Sequence, residues 1–179
     1  MSRYVALIRG INVGGRNKIA MADLRKAFED SGFDSVSTYI QSGNVLFRTA
    51  TSSAALESNL EGFLEKRFKI PLVAVVRSHA QIRKVIDSAP DGFGTQPQTH
   101  HSDTIFLKKP LTSKQAMKVV KLREGVDRAW PGNGVLYFER VSALRTRSRM
   151  SSIVGTPEYQ QMTIRSWATT TKLLALLDA

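Results

Sequence analysis

Residues 9–20 combine side chains whose chemistry suits an anion. The glycines of this segment accept positive φ, so that backbone N–H groups can converge on one ligand. Its cations attract negative charge, and no acidic residue interrupts the segment. A predicted helix follows from about residue 21, and helix N-termini favour anions. We therefore predict that the segment binds a phosphate, a carboxylate or a nucleic-acid backbone through Arg9, Asn12, Gly14, Gly15, Arg16, Asn17 and Lys18.

A second polar segment is expected beside the first. Residues 36–40 and 45–47 predict a hairpin, and its turn contains Gln41, Ser42 and Asn44. In an antiparallel β-α-β-β order, the loop after the first strand and the hairpin turn lie at the same end of the sheet. The loop is also long: 39 residues separate Tyr4 from Gly43, against 29 between Thr104 and Asn133 in the second half. Long structured loops are often functional.

Known phosphate-binding motifs do not match this segment. Gly10 and Gly15 have the glycine spacing of a Walker A motif, but Arg16-Asn17 stands where Lys-Ser/Thr is required. No G-x-G-x-x-G occurs, which argues against a dinucleotide fold. The alternative is a loop without a ligand, closed by Asn and Gln side chains that bond to its own backbone.

Candidates for catalysis or metal binding are sparse. His100 and His101 precede Asp103, but adjacent His side chains point in different directions and no third ligand has useful spacing, so we predict no metal and no cofactor. The absence of Cys excludes disulfides, iron–sulfur clusters and thiol nucleophiles. No acid–base pair stands out, and catalytic residues are not assigned. The basic run over residues 140–149 predicts a solvated face rather than a phosphate clamp, with Arg145 and Arg149 on one side if it is helical.

Two series of strands and helices surround these residues. The first half predicts strands at 4–8, 36–40, 45–47 and 72–76, with helices at 21–31 and 53–67 and a third opening after Ser78. The second half predicts strands at 104–107, 126–130, 135–138 and 161–165, with helices after Thr112, at 143–154 and at 167–177. This order predicts an α+β protein of two tandem ferredoxin-like (βαββαβ) subdomains with antiparallel sheets. We expect residues 1–90 and 102–179 to form them, with residues 91–101 as the connector.

Charge is spread over the whole chain. The 179 residues have a formal net charge of +11, with 13 basic against 8 acidic residues in positions 1–90 and 13 against 7 afterwards. Such an excess attracts polyanions, although many basic proteins have no such partner. No apolar run approaches a membrane span or a signal peptide, so we expect a cytoplasmic protein without a membrane partner.

Three blocks of the sequence are similar to one bacterial family. The stretch YVALIRGINVGGRNK at 4–18 strongly resembles the opening of the family called domain of unknown function 1697, and TYIQSGNV at 38–45 resembles its second block. The stretch TIRSWATTTKL at 163–173 resembles a closing block usually written T-x-R-N-W-N-T-x-x-K-L, with Ser166 and Ala168 in place of both Asn. Ala20 stands where the family tends to have Pro. The resemblance implies a two-subdomain ferredoxin-like α+β fold and carries no established activity.

These patterns favour a binding protein. The first hypothesis is a phosphate-bearing or nucleic-acid ligand at the loop edge of the first subdomain. One alternative is an enzyme that acts on a small polar metabolite at the same loop, with Arg9 and Asn12 orienting the substrate. The other is a protein-interaction module that uses Trp167 as an anchor. The oligomeric state is not predicted.

Overall fold

Two four-stranded antiparallel sheets, one in each compact unit of the chain, form the framework of this α+β protein. The computed structural model describes all residues from 1 to 179. The first unit contains Met1–Ile82 and Leu173–Ala179, and the second contains Arg83–Lys172. The C-terminal helix therefore begins in the second unit and ends in the first.

The first sheet has the strand order β2-β3-β1-β4. Strand β1 lies between two antiparallel neighbours, and its residues 4–8 are buried, as expected from a strand that is apolar on both faces. The elements of this unit are β1 (Ser2–Arg9), α1 (Met21–Asp30), β2 (Asp34–Tyr39), β3 (Asn44–Thr49), α2 (Ser53–Phe68), β4 (Val73–Ser78) and the start of α3 (His79–Asp87).

The core of the first unit lies between one face of this sheet and helices α1 and α2. Helix α2 buries Leu56, Leu60 and Leu64, which follow the spacing of one helix face. Helix α1 contributes Phe28, whose ring lies 5.4 Å from that of Phe47 on β3. This core holds β1 and α1 in place, and therefore fixes both ends of the segment that connects them.

The second sheet has the strand order β6-β7-β5-β8. Strands β5 and β7 lie in its interior, and their buried residues include Ile105 and Phe138. The elements are β5 (His100–Leu107), α4 (Ser113–Val119), β6 (Asp127–Pro131), β7 (Val135–Val141), β8 (Met162–Ser166) and α5 (Trp167–Asp178). The last two residues of the expected 91–101 connector thus belong to β5.

The prediction of a helix at 143–154 is wrong. Short 3-10 helices occupy this region instead, at Ser142–Arg147 and Met150–Ile153, and a third follows at Pro157–Gln161. In an α-helix the N–H of Arg149 would bond to the carbonyl of Arg145. Here it donates instead to the carboxylate of Asp127, at 2.8 Å, which draws the chain onto the start of β6. Arg145 and Arg149 therefore do not share the face of one helix.

The two helices predicted after Ser78 and Thr112 each begin with a capping box. The Thr112 hydroxyl accepts the N–H of Gln115 at 3.2 Å, and the Gln115 side chain accepts the N–H of Thr112 at 3.0 Å. Ser78 and Gln81 make the same reciprocal pair before α3. None of the helices combines the length and apolar character needed to cross a bilayer.

Candidate functional site

The segment between β1 and α1 lies against the β2–β3 turn, as the sequence predicts. The Ile8 N–H donates to the carbonyl of Gly43 at 2.9 Å, and the Asn12 Nδ2 donates to the carbonyl of Gln41 at 3.0 Å. We refer to residues 10–20 as the β1–α1 loop. The loop and the turn thus form one edge of the first unit.

Asn12 holds the base of the β1–α1 loop. Its side-chain oxygen accepts the N–H of Ile19 at 2.9 Å, and its Nδ2 donates to the carbonyl of the same residue at 3.0 Å. Asn12 has a φ of 54°, a region in which Asn is enriched among the non-glycine residues. Ile19 is buried in the core of the unit, so these bonds tie the loop to a fixed point.

The tip of the loop is a tight two-residue hairpin. The Arg16 N–H donates to the carbonyl of Val13 at 3.0 Å, across Gly14 and Gly15 with φ of 57° and 74°. Positive φ at both central positions is typical of a type I′ turn and explains the two glycines. Asn17 braces the hairpin, because its Nδ2 donates to the carbonyl of Gly10 at 3.0 Å. The tip is therefore a built structure rather than an open backbone nest.

Asn44 also has a structural role. It is fully buried, and its Nδ2 donates to the carbonyl of Tyr39 and to the Ser42 hydroxyl, both at 2.9 Å. These bonds close the β2–β3 turn. Together with Asn12 and Asn17, it fits the alternative in which the amides of the segment bond to their own backbone.

Two of the predicted cations have no such role. The side chains of Arg16 and Lys18 are exposed, and neither has an ion pair or a hydrogen bond. Arg9 differs from them, since it is the last residue of β1, where it pairs with Val73, and is half-buried. Arg16 and Lys18 therefore remain available to a negatively charged ligand.

An open pocket of about 490 Å³ lies beside Lys18. The pocket reaches Ala20, the residue before α1, which has no side chain that caps the helix. The first N–H groups of α1 therefore lack a side-chain acceptor, although the acidic Asp23 stands in the same turn. The residues that line the pocket are Asn12, Gly15, Lys18, Ile19, Ala20 and Gln41.

Ile40 is a residue of this edge that the sequence reasoning missed. It has a φ of 48°, which is an outlier for a β-branched side chain, and it is 49% exposed. Its neighbour Gln41 is held by Asn12, so the turn is fixed where the strain occurs. The sequence does not predict a positive φ here, because Ile favours extended backbone and is expected to continue the preceding strand.

The two adjacent His residues of β5 have separate partners. The Nδ1 of His100 lies 2.9 Å from the Thr99 hydroxyl, whereas the Nε2 of His101 lies 3.0 Å from Asp103 Oδ1. No group of three or more His, Asp or Glu side chains is arranged to hold a metal ion.

Comparison with known proteins gives a family. A family model described as a protein of unknown function, DUF1697, matches residues 1–137. The chain belongs to the DUF1697 family. The matched residues include the β1–α1 loop and the β2–β3 turn, and end before the closing block at 163–173.

One solved structure is similar to the chain over almost its whole length. It is a conserved bacterial protein from Streptococcus pneumoniae, 26% identical, with a TM-score of 0.82 over 98% of each chain. No curated protein matches the chain. The comparisons thus give the family of the chain and a solved structure that is similar to it, but no activity.

Ser166 has a structural role at one of the two positions where the sequence departs from the closing block that it resembles. Its hydroxyl accepts the Thr169 N–H at 3.2 Å, which makes Ser166 the N-cap of α5. Asn and Ser cap helices about equally well, so the cap is preserved where the block usually has Asn. Ala168 is exposed in the first turn of α5, and nothing in the structure explains why Ala stands there in place of Asn.

Proposed function

We propose that the β1–α1 loop binds the phosphate groups of a nucleic acid or of a phosphorylated small molecule. The observation that carries this proposal is the pair Arg16 and Lys18, two exposed cations without an acidic partner on a braced hairpin. Because the loop is tied to Ile19 and to Gln41, the two cations lose little freedom of the backbone when a ligand binds.

The roles of the predicted site residues differ within this proposal. Arg16 and Lys18 supply charge, and the uncapped start of α1 supplies backbone donors beside the pocket. Asn12, Asn17 and Asn44 build the loop and the turn. The remaining members border the site and shape it: Arg9, Gly14, Gly15, Gln41 and Ser42.

Binding is favoured over catalysis at this edge. The residues that line the pocket include no His, Asp or Glu, and general acid–base catalysis requires a side chain that can exchange a proton near neutral pH. An interaction through Trp167 has less support, since its ring packs 5.1 Å from that of Phe93 inside the second unit.

The test is the binding of a fluorescently labelled single-stranded RNA and of ATP at several salt concentrations. For a protein that contacts phosphates, affinity falls as salt rises, and each lost contact reduces the slope by about 0.7–0.9 on logarithmic axes. We expect Lys18→Ala and Arg16→Ala each to weaken binding. Each should also reduce the salt slope by the amount expected for the loss of one phosphate contact.

Lys66→Ala is the matched control. Lys66 is an exposed cation of the same unit, in the last turn of α2, and its replacement by Ala removes the same charge from the protein as Lys18→Ala does. Equal losses for Lys18→Ala and Lys66→Ala would assign the effect to net charge alone. Absence of RNA and ATP binding by the unmodified protein at low salt would overturn the proposal.

We also propose that the two sheets belong to ferredoxin-like subdomains, the first within residues 1–90 and the second beginning at β5, with residues 91–99 between them. The strand orders β2-β3-β1-β4 and β6-β7-β5-β8 support this, since a βαββαβ unit places its first and third strands in the interior. In the second unit, 3-10 helices stand in place of the second helix of that unit.

A further inference from the structure

One buried carboxylate brings two segments of the second unit together. Asp127 Oδ2 accepts the backbone N–H of Arg123 at 3.0 Å and that of Arg149 at 2.8 Å. Because the two nitrogens share one acceptor atom, they lie within about 6 Å of each other. The chain that follows α4 is therefore adjacent to the chain between the first two 3-10 helices.

Both segments are rich in cations. Residues 118–123 and 145–149 contain six Lys or Arg residues and no acidic residue. Five of these six side chains are exposed, and none of the five makes an ion pair or a hydrogen bond. We refer to these five side chains as the basic surface: Lys118, Lys121, Arg145, Arg147 and Arg149.

No carboxylate pairs with the basic surface. Elsewhere exposed cations do find such partners, as Arg25 does with Glu29 at 2.7 Å. Asp127 is only 6% exposed, and its Oδ2 bonds to backbone N–H groups. The exposed Glu124 adjoins the first segment, but it makes no ion pair. The five cations are therefore left to a partner outside the chain.

The cations are close enough for one chain of phosphates to contact several of them. Two residues of backbone span at most about 7 Å, which limits the distance from Lys121 to Arg123 and from Arg147 to Arg149. The Cα atoms of Lys121 and Arg147 therefore lie within about 20 Å of each other. One strand of a nucleic acid duplex has a phosphate about every 3.4 Å along the helix axis, so this span accommodates several phosphates.

The composition of the two segments favours phosphates over an acidic protein. Leu122, at 42% exposed, is the only large apolar side chain in them that is exposed. Protein interfaces have an apolar centre and are depleted in Lys, whereas the guanidinium of Arg can bind two phosphate oxygens at once. Three of the five cations of the basic surface are arginines.

We propose that the basic surface binds the phosphodiester backbone of a nucleic acid. Contacts to phosphates do not distinguish the bases, so binding depends on salt and on the number of phosphates rather than on sequence. Asp127 is a positioning residue, because it holds the two segments side by side and does not contact the ligand. The surface lies wholly in the second unit, so the proposal does not rest on the β1–α1 loop.

The first test compares variants in the binding of a labelled single-stranded RNA and of a labelled DNA duplex at several salt concentrations. A triple variant, Arg145→Gln with Arg147→Gln and Arg149→Gln, removes three charges but keeps the backbone N–H that bonds to Asp127. For RNA we expect it to reduce the salt slope on logarithmic axes by about 2, as for three lost contacts. A loss for RNA alone or for both nucleic acids supports the proposal and distinguishes the source of the phosphates.

A second triple variant is the matched control. Lys66→Gln with Lys69→Gln and Lys84→Gln removes the same charge from exposed positions outside the basic surface, and should reduce the slope by less than about 0.5. Equal slopes for the two triple variants would overturn the proposal. Tighter binding of polyglutamate than of RNA would assign the surface to an acidic protein and would also overturn it.

The second test maps the contact on the unmodified protein, so that it does not depend on the folding of a variant. Ultraviolet cross-linking to the RNA, followed by mass spectrometry, should label peptides that contain residues 118–123 and 145–149. The same peptides should be labelled in Lys18→Ala, which separates the basic surface from the β1–α1 loop. Cross-links confined to the β1–α1 loop, or no binding of either nucleic acid at low salt, would contradict the proposal.

Discussion

The carboxamide of Asn12 binds the backbone of Ile19 in both directions, accepting its N–H at 2.9 Å and donating to its carbonyl at 3.0 Å. The same Nδ2 also donates to the carbonyl of Gln41 at 3.0 Å. One side chain thus joins the β1–α1 loop to the β2–β3 turn, and it fixes the backbone next to Lys18.

Replacing Asn12 by Ala removes these bonds and places a Cβ-bearing residue without a polar side chain at a φ of 54°. Each lost bond costs about 0.5–1.5 kcal/mol, and the left-handed conformation adds about 1–2 kcal/mol. Because three bonds are lost, we expect a loss of about 2.5–6.5 kcal/mol in the free energy of unfolding, measured with urea. Lys18→Ala, which removes an exposed side chain, should change stability by less than about 0.5 kcal/mol. A stable Asn12→Ala protein would show that the loop is held by other contacts.

The sequence predicted the elements of the first unit well, because hydrophobic periodicity and burial agree there. Leu56, Leu60 and Leu64 lie on one helix face in the sequence and in the core. The prediction of a helix at 143–154 was wrong for a physical reason. The carboxylate of Asp127, which is distant in sequence, accepts a hydrogen bond from the N–H of Arg149. Periodicity contains no information about such a bond.

The candidate site was predicted in position but not in role. The order of strands brings the loop and the turn together, and this could be reasoned from topology. Whether Asn12 bonds to a ligand or to Ile19 depends on atomic distances that residue types do not determine. Ile40 was missed because nothing in its type predicts a positive φ.

Ile40 offers a substitution that should stabilise the protein. Its side chain is 49% exposed, and its φ of 48° suits Asn far better than a β-branched residue. Ile40→Asn should therefore raise the free energy of unfolding by about 1 kcal/mol. Measurement of the urea midpoint tests this value, and Ile40→Val, which keeps the branch, is the control. If strain at this turn serves binding, Ile40→Asn will also weaken the affinity for RNA.

Two glycines of the same edge should respond differently to Ala. A Cβ at Gly43 would lie 2.8 Å from Ile11 Cδ1 and 3.1 Å from Ile8 Cβ, whereas one at Gly15 would meet nothing within 4 Å. Both have positive φ, so each substitution costs about 1–2 kcal/mol in backbone strain. Crowding against Ile8 and Ile11 should add about 1–3 kcal/mol for Gly43→Ala. Equal unfolding midpoints for the two variants would contradict the close packing of the turn.

Glu139 should make stability depend on acid pH. Burial alone would raise the pKa of this carboxyl, but hydrogen bonds from Ser102, Gly94 and Arg128 together lower it below its usual value. A carboxyl with a lower pKa in the folded state than in the unfolded state stabilises the fold above the unfolded pKa, near 4.3 for Glu.

This contribution is lost as pH falls through the folded pKa. Glu139→Gln should therefore be less stable than the unmodified protein at pH 7, and the difference should shrink below about pH 4. Thermal or urea unfolding at several pH values measures the difference. Glu124→Gln changes an exposed carboxyl in the same unit and should show no such trend. A constant difference for Glu139→Gln across this range would mean that the variant acts through packing, since only the loss of an ionised group makes the effect depend on protonation.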